Sequence, residues 1–345
     1  MKYIVDISPK QAQTIQTLLD KGTYGSLSQF ISASIENQLA LEENETSELI
    51  PYRMEKAIQQ PSVTKVDSRT GGFEKYQLVN IPEFNSVIDP PGFDNLVFSS
   101  QNIPERQAWI WGQVNKIFPV KLGLRVLHQL LATKEGVELK EFLETAAKEA
   151  LVIGEKIRTY EKEAGKMRDE KISAALPSTD EKSQTRYKFQ FMVYPRKDAL
   201  LDGAMALMRF CNVYADRKKQ MIGITEAGLK FSSINNPVLD NNNFDKSLSE
   251  EESLFYINHA KENMKGEYEA MKWMLLQISI GKNERGLLNN EIEKKFGKTW
   301  NATATVINTQ RAGLTARMFE LGLIEKEKDG IYVKYGVSEN GEKFF

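Results

Sequence analysis

Hydrogen-bonding side chains recur along one face of the helix that the sequence predicts from Asn301 onwards. The buried stripe of this helix is taken to be its apolar and small positions, Val306, Gly313, Met318 and Leu321. The other face carries hydroxyl, amide and guanidinium groups, from Asn301, Thr303, Thr305, Asn308, Arg311, Thr315 and Arg317. Asparagine can bind adenine, arginine can bind guanine or phosphate, and threonine offers a hydroxyl and a methyl group. The pattern predicts a helix that lies in the major groove of duplex DNA.

The alternative is a polar face that meets only solvent. Such faces usually carry Glu and Lys, whereas this one has no acidic residue before Glu320. It also holds several threonines, which are poor helix formers and so suggest another reason for their presence. We therefore favour DNA contact, with Arg311 and Asn308 as the residues best suited to bind base edges.

Residues with catalytic potential are few and scattered. The two histidines, His128 and His259, lie far apart without Cys or carboxylate partners at metal-ligand spacing, and Cys211 stands alone. Gly297-Lys298-Thr299 looks like the end of a phosphate-binding loop, but the glycine that such a loop requires five positions earlier is Ile292. The sequence predicts neither a metal site, nor a cofactor, nor an enzyme.

The elements around the polar face follow a recognisable order. A helix ends near Phe296, a short turn follows, and the next helix runs from Asn301 to Leu321. A charged hairpin at 325–330 then leads to a strand at 331–333. Two helices joined by a short turn and followed by a two-stranded ribbon resemble a winged helix-turn-helix domain. The resemblance implies a DNA-binding fold.

This arrangement is predicted to occur twice. The segment 223–231 recurs as 336–344, with its two glycines, Glu, Lys and Phe in the same places. Upstream, Gly203, Ala206 and Met208 are aligned with residues 313, 316 and 318. The interval from residue 124 to 223 is 36 residues longer than that from 273 to 336, which predicts an insert of that length in the first copy. The alternative is chance recurrence of a common turn-and-cap sequence.

The first copy is predicted to support binding without reading bases. Its helices are placed at 109–118, 122–131 and from 139 onwards, and the charged stretch 156–171 is a solvated helix or an arm against a partner chain. A loop is predicted at 174–186. The equivalent of the DNA-reading helix, 198–210, is apolar and carries two aspartates. Its basic hairpin turn predicts phosphate contact through Arg217, Lys218 and Lys219.

In the first 41 residues, apolar and polar side chains alternate at 2–7, which predicts a strand. Apolar residues at helical spacing then predict two helices, one after Ser8-Pro9 and one after Ser26. Strand, helix, turn and helix in so short a segment resemble the ribbon-helix-helix family, which implies a homodimer through strand pairing. The predicted dimerisation residues are Tyr3, Val5, Ile7, Leu27, Ile31 and Ile35. The outward ribbon residues include Ile4 and Asp6, which suit a DNA groove poorly, so dimerisation is favoured over DNA reading.

Composition limits the class of protein. The chain has 345 residues, 41% hydrophobic and 27% charged, with a net charge of −1, so DNA contact must be local. One cysteine, no signal peptide and no membrane-spanning apolar run predict a cytoplasmic protein.

The predicted fold is mainly α with short β-ribbons: a ribbon-helix-helix unit followed by tandem winged helix-turn-helix domains. The predicted boundaries are 1–45, a partly ordered linker at 46–103, a winged-helix domain with a charged insert at 104–240, a linker at 235–249, and a second winged-helix domain at 250–345 opened by a helix to 278. The predicted function is site-specific binding of double-stranded DNA as a homodimer, as a prokaryotic transcriptional regulator or the DNA-recognition component of a mobile-element or defence locus. The alternative is a scaffold whose winged helices bind proteins.

Overall fold

The computed structural model describes residues 98–102, 110–134, 136–167, 170–197, 200–215, 219–297, 302–329 and 332–344, together with Gln16 and Asp20. The chain divides into two compact units, 1–63 and 64–345. In the first unit Gln16 and Asp20 are helical, and the Gln16 amide donates to the Asp20 carboxylate at 2.8 Å. The six predicted dimerisation residues lie outside the described ranges, so the ribbon-helix-helix unit stays a prediction.

The described part of the second unit is mainly helical with small antiparallel sheets. Its first half contains α1 (Phe118–Thr133), β1 (Val137–Glu138), α2 (Leu139–Glu163), α3 (Glu181–Phe191), β2 (Tyr194–Pro195), β3 (Leu201–Asp202), α4 (Ala204–Leu207), β4 (Cys211–Ala215), β5 (Gln220–Ile224) and α5 (Glu226–Ser233). Short 3₁₀ turns lie at Ser100–Asn102 and Ser173–Ala175.

The second half contains α6 (Pro237–Asn241), α7 (Glu250–Asn263), α8 (Lys265–Ser279), α9 (Arg285–Ile292), α10 (Ala304–Glu320), β6 (Ile324–Asp329), β7 (Tyr332–Val337) and α11 (Glu339–Glu342). Helix α9 continues as a π-helical turn at Glu293–Gly297. A continuous buried core runs through both halves, from α1 to the β6–β7 hairpin.

The two halves share one strand order. Strand β5 lies between β1 and β4, and β7 pairs with β6 while an isolated bridge joins Lys334 to Glu284, just before α9. The outermost hairpin pairs are Cys211 with Ile224 and Ile324 with Val337, so each position in the first hairpin matches one 113 residues later. Both hairpins therefore have the same length from the first to the last paired residue. In each, the second strand also pairs with a segment from the chain before it, β1 in the first half and Glu284 in the second.

The closing turns repeat in detail. Thr225 caps α5 by accepting from the backbone N–H of Gly228, and Ser338 caps α11 by accepting from that of Gly341. A Cβ on either glycine would lie 2.1–2.2 Å from a backbone carbonyl oxygen, that of residue 210 or 323. Only glycine fits there, which explains why these two residues recur in the sequence.

The upstream alignment of the repeat was wrong by three residues. The turn that ends α4 has its positive-φ residue at Arg209, and the turn that ends α10 has it at Gly322, again 113 positions later. By contrast with this separation of 113 residues, α1 lies 146 residues before its counterpart α8, and β1 lies 146 residues before its counterpart at Glu284. The insert in the first copy is therefore 33 residues rather than 36, because Leu127, not Leu124, is the counterpart of Trp273.

Several predicted element bounds were also wrong. Residues 110–117 form turns rather than a helix, and α3 begins at Glu181 inside the predicted loop. In the described part of the predicted helix at 198–210, residues 200–210, the helix is limited to the four residues of α4. The predicted helix at 250–278 is broken at Met264, where the backbone leaves the helical region. The predicted linker at 235–249 is anchored, because the buried Asn236 caps α6 and donates to the Glu252 carboxylate at 2.9 Å.

Two buried cations on α1 fasten the end of α5. Lys121 donates to the carbonyl oxygens of Phe231 and Ile234 and pairs with Glu252 at 2.8 Å, with both side chains fully buried. Arg125, one turn later, binds the Asp240 carboxylate through two nitrogens at 2.7 and 2.8 Å. Cations at the C-terminus of a helix complement its dipole, so this contact fixes α5 against α1.

The buried His128 makes the fold sensitive to acid. Burial and the neighbouring Arg125 and Lys121 lower the pKa of His128 to about 4, below the value of about 6.5 in an unfolded chain. Between these two values the unfolded chain binds the extra proton, so the free energy of unfolding falls as pH falls. We expect acid titration followed by circular dichroism to show this loss below about pH 6.5. A His128→Gln variant should flatten that slope, and an unchanged slope would contradict the assignment.

Candidate nucleic-acid interface

Helix α10 has an exposed first half and a buried second half. Its N-cap, Thr303, accepts a hydrogen bond from the backbone N–H of Val306 at 3.3 Å, which fixes where the helix begins. Thr303, Thr305, Val306 and Asn308 are exposed, whereas the positions from Arg311 onwards are mostly buried. Only the first two turns of the helix therefore meet solvent broadly.

The second half of α10 is covered by the turn segment 110–117. Gly112 lies directly on the helix, and a Cβ on Gly313 would be 2.1 Å from the Gly112 carbonyl oxygen. A Cβ on Gly112 would be equally close to the Thr309 carbonyl oxygen. The two backbones can approach in this way only because both glycines lack a side chain.

An ion pair locks the covered face. The fully buried Arg317 donates to both carboxylate oxygens of Glu267 on α8, at 2.8 and 3.0 Å. Arg317 also donates to the carbonyl oxygens of Ile110 and Val114, while the backbone N–H of Ile110 donates to Glu267. At the C-terminal end of α10, Glu320 accepts from the backbone N–H groups of residues 117 and 118 at the start of α1. These contacts fix α10 to both copies of the repeat.

Arg311 joins three elements on the remaining side of the helix. It donates to Asn289 on α9 at 3.0 Å, to the Tyr335 hydroxyl on β7 at 3.1 Å and to Asn308 at 2.8 Å. Because arginine only donates, the Asn308 side chain must turn its oxygen towards Arg311. The amide nitrogen of Asn308 is then the group available to an outside acceptor.

The predicted placement of four residues on α10 was therefore wrong. Arg311, Thr315 and Arg317 are 5%, 2% and 0% exposed, and Val306, taken as core, is 38% exposed. The apolar stripe consists of Ile307, Leu314, Met318 and Leu321. The sequence pattern assumed one buried face, whereas the second half of α10 is packed on two sides.

The other predicted contact residues divide into three groups. Thr303, Thr305 and Asn308 lie together on the exposed first half of α10. Lys219 is exposed just before β5 and pairs with Glu138 at 2.9 Å. Asn301, Arg217 and Lys218 lie outside the described residues.

The β6–β7 hairpin lies beside α10. Tyr332 at the start of β7 is 69% exposed, and the exposed Lys334 alternates with the buried Val333 and Tyr335. Lys326 on β6 lies over the ring of Phe319, with its ammonium nitrogen 4.3 Å from the ring centre. The hairpin thus presents the Tyr332 ring and the Lys334 ammonium group next to the DNA-reading candidate, together with the exposed Glu325 and Glu327 of β6.

The described ranges offer no second candidate site among the side chains that could bind a metal ion or act as a nucleophile. They contain no group of three or more His, Cys, Asp or Glu side chains arranged to hold a metal ion. Burial raises the pKa of the Cys211 thiol, which disfavours the reactive thiolate. Burial also lowers the pKa of His259, whose ring nitrogen is 2.8 Å from the Met208 carbonyl oxygen.

Comparison of the chain with protein-family models, with curated proteins and with solved structures finds no match. Among the described helices, none combines the length and the apolar character needed to cross a membrane.

Proposed function

We propose that the chain binds double-stranded DNA with sequence preference through the first half of α10. The observation that carries the proposal is an exposed helix start that bears Thr303, Thr305 and Asn308 and no acidic side chain. Recognition helices contact base edges chiefly with their N-terminal residues, and this is the part of α10 that is exposed. Amide and hydroxyl groups at these positions suit hydrogen bonding in the major groove.

The surrounding elements support the same proposal. In both halves a helix, a short strand or bridge, further helices and an antiparallel hairpin follow in one order, with the first strand beside the last. This order is the one expected of a winged helix-turn-helix with the hairpin as its wing, and it supports the proposal. The proposal assigns Tyr332 and Lys334 to contacts with the DNA backbone beside the groove.

The wider proposal concerns assembly and role. The chain acts as a homodimer through an N-terminal ribbon-helix-helix unit, and it serves as a prokaryotic transcriptional regulator or as the DNA-recognition subunit of a mobile-element or defence locus. A dimer suits DNA sites with two-fold symmetry, because each copy then meets one half-site.

A variant of Asn308 tests the proposed reader. Asn308→Ala removes one base contact, so affinity for the preferred duplex is expected to fall by about 1–3 kcal/mol and preference to relax at one base pair. Duplexes selected from a random pool by the wild-type chain and by the variant are sequenced and compared. The matched control is Asn340→Ala, on exposed α11. If the preferred sequence and the affinity are the same for all three proteins, α10 is not the reader.

A protein-binding scaffold is the second candidate. Leu276 on α8 and Ile280, the residue that follows α8, are 48% and 61% exposed, which suits contact with an apolar partner. A scaffold of this kind would retain no duplex in the selection, whereas a DNA reader retains one.

A further inference from the structure

Helix α3 occupies the place in the first copy that the exposed half of α10 occupies in the second. Each helix begins with a capping side chain that accepts from the backbone N–H three residues on: Asp180 from Ser183 at 3.0 Å, and Thr303 from Val306 at 3.3 Å. Eight residues after its cap, each helix is tied to the preceding helix of its own copy. Lys188 pairs there with Glu144 on α2 at 2.7 Å, just as Arg311 binds Asn289 on α9.

The path of the chain after α3 supports this equivalence. The β2–β3 hairpin loops out at the end of the helix, and the chain returns at Gly203 with φ of +91°. The backbone N–H of Met205 then donates to the Met192 carbonyl oxygen at 3.1 Å, so α4 abuts the end of α3. The turn that ends α4 corresponds to the turn that ends α10. Helices α3 and α4 together therefore form one interrupted third helix. The interruption takes up part of the 33-residue insert.

The outward face of α3 is cationic and polar. Lys182, Thr185, Arg186 and Phe189 follow at the i, i+3, i+4 and i+7 spacing of one helix face. Lys182 is exposed and the other three are half-buried, while Tyr187 and Phe191 are buried on the opposite side. Tyr187 is anchored to α1 through a 3.2 Å hydrogen bond to the Pro119 carbonyl oxygen. Lys182 is therefore the exposed cation of this face, and the half-buried Thr185, Arg186 and Phe189 continue the face beside it.

Charge on this segment is one-sided. Residues 182–197 contain no acidic residue, although the exposed Asp180 and Glu181 lie at the start of α3. The five basic residues of this stretch are Lys182, Arg186, Lys188, Arg196 and Lys197. Lys188 is paired with Glu144, and Arg196 lies 3.6 Å from Asp202, whereas Lys182 and Lys197 are exposed. A chain of net charge −1 has to place its phosphate-binding charge locally. The outward face lacks the large aliphatic side chains that insertion into a lipid surface requires.

Both helices are attached to the same turn segment, 110–117. The Gln190 side chain at the end of α3 donates to the Gln113 carbonyl oxygen, and the adjacent Gly112 is in backbone contact with Thr309 and Gly313 of α10. Movement of one helix relative to the other would break these contacts. The two helices are thereby held in one fixed relation.

We infer that α3 is a second DNA-contacting helix, so that a single chain engages two adjacent segments of a duplex at a fixed separation. The inference rests on the proposed DNA binding through α10 and adds to it. Helix α10 contributes mainly base contacts, whereas α3, with Lys182 and Arg186, contributes mainly phosphate contacts.

Charge removal on α3 tests the inference in the full-length chain. Lys182→Ala/Arg186→Ala is compared with Lys261→Ala/Lys265→Ala, which removes the same charge from exposed positions outside the two helices. Affinity for the duplex selected by the wild-type chain is measured over a salt series, and the protected length is measured by footprinting. Loss of two phosphate contacts lowers the slope of log affinity against log salt by about 1.8. We expect that change, with a footprint shortened at one end, for the α3 variant alone.

The outcomes separate the inference from the proposal on which it rests. An α3 variant with the wild-type slope and footprint overturns the second contact while DNA binding by α10 stands. Equal losses in both double variants also overturn it, because the effect would then come from net charge. If the wild-type chain binds no duplex, the proposed function fails and the inference fails with it.

Discussion

Replacing Arg317 with Met is expected to lower the free energy of unfolding by about 3–5 kcal/mol, because it leaves the Glu267 carboxylate buried without its cation. Both side chains are almost fully buried, and the guanidinium contacts both carboxylate oxygens. The change also leaves the carbonyl oxygens of Ile110 and Val114 without their donor. Methionine fills a similar volume, so a cavity contributes little to the loss.

Urea unfolding of the wild-type and variant chains measures this loss. Lys343→Met is the control, because Lys343 and Glu339 form an exposed ion pair one turn apart, and such solvent-screened pairs contribute little to stability. Adding Glu267→Met to Arg317→Met removes the unpaired charge and is expected to restore part of the stability. A loss no larger for Arg317→Met than for the control would show that the pair does not hold α10 in place.

The second large effect is expected for Lys121→Met. This change leaves Glu252 fully buried without its cation and removes the donor to two carbonyl oxygens at the end of α5. Glu252 keeps hydrogen bonds from Asn236 at 2.9 Å and from the backbone N–H of Ser249 at 2.7 Å. We therefore expect a loss near the lower end of the range, about 3 kcal/mol.

Thermal unfolding of Lys121→Met, of Lys230→Met and of Lys121→Met/Glu252→Gln tests this account. Lys230 pairs with Glu226 on the exposed side of α5, so its replacement is expected to cost much less stability than that of Lys121. Neutralising Glu252 in the double variant is expected to recover stability relative to Lys121→Met alone. If the double variant is less stable than the single one, the buried charge is not the source of the loss.

The sequence predicted the elements whose signals are local. The hairpin of the second half and its closing turn follow from the charged segment at 325–330 and the recurring glycines. The structure has paired strands at 324–329 and 332–337 and a helix cap at Ser338. Gly313, Met318 and Leu321 are buried as expected. A mainly helical chain with short antiparallel strands was likewise predicted correctly.

Residues with distant partners were not predictable in this way. Arg317 is buried because Glu267 and the turn at 110–114 satisfy its donors, and Arg311 because Asn289 and Tyr335 satisfy it. These partners lie far from both arginines in the sequence, so no pattern in the neighbouring helical turns predicts the contacts. A polar residue on a helix therefore predicts exposure until its long-range contacts are known.

The elements of the first copy were harder to predict from the sequence because its third helix is interrupted. Prediction from consecutive elements placed one helix directly before β4, whereas the chain there forms α3, a short hairpin and the four residues of α4. The sequence contains both the stretch 182–197, which has no acidic residue, and Asp180, which caps α3. Its meaning depended on the equivalence with α10, which only the three-dimensional contacts provide.

Binding of the wild-type full-length chain to a random pool of duplex DNA is the most direct test of the central claim. The account predicts that one sequence is enriched at low salt. It also predicts that affinity falls as salt rises, with a slope of about −0.9 for each phosphate contact. Absence of any retained duplex at about 50 mM salt, where phosphate contacts are strong, would contradict DNA binding by this chain.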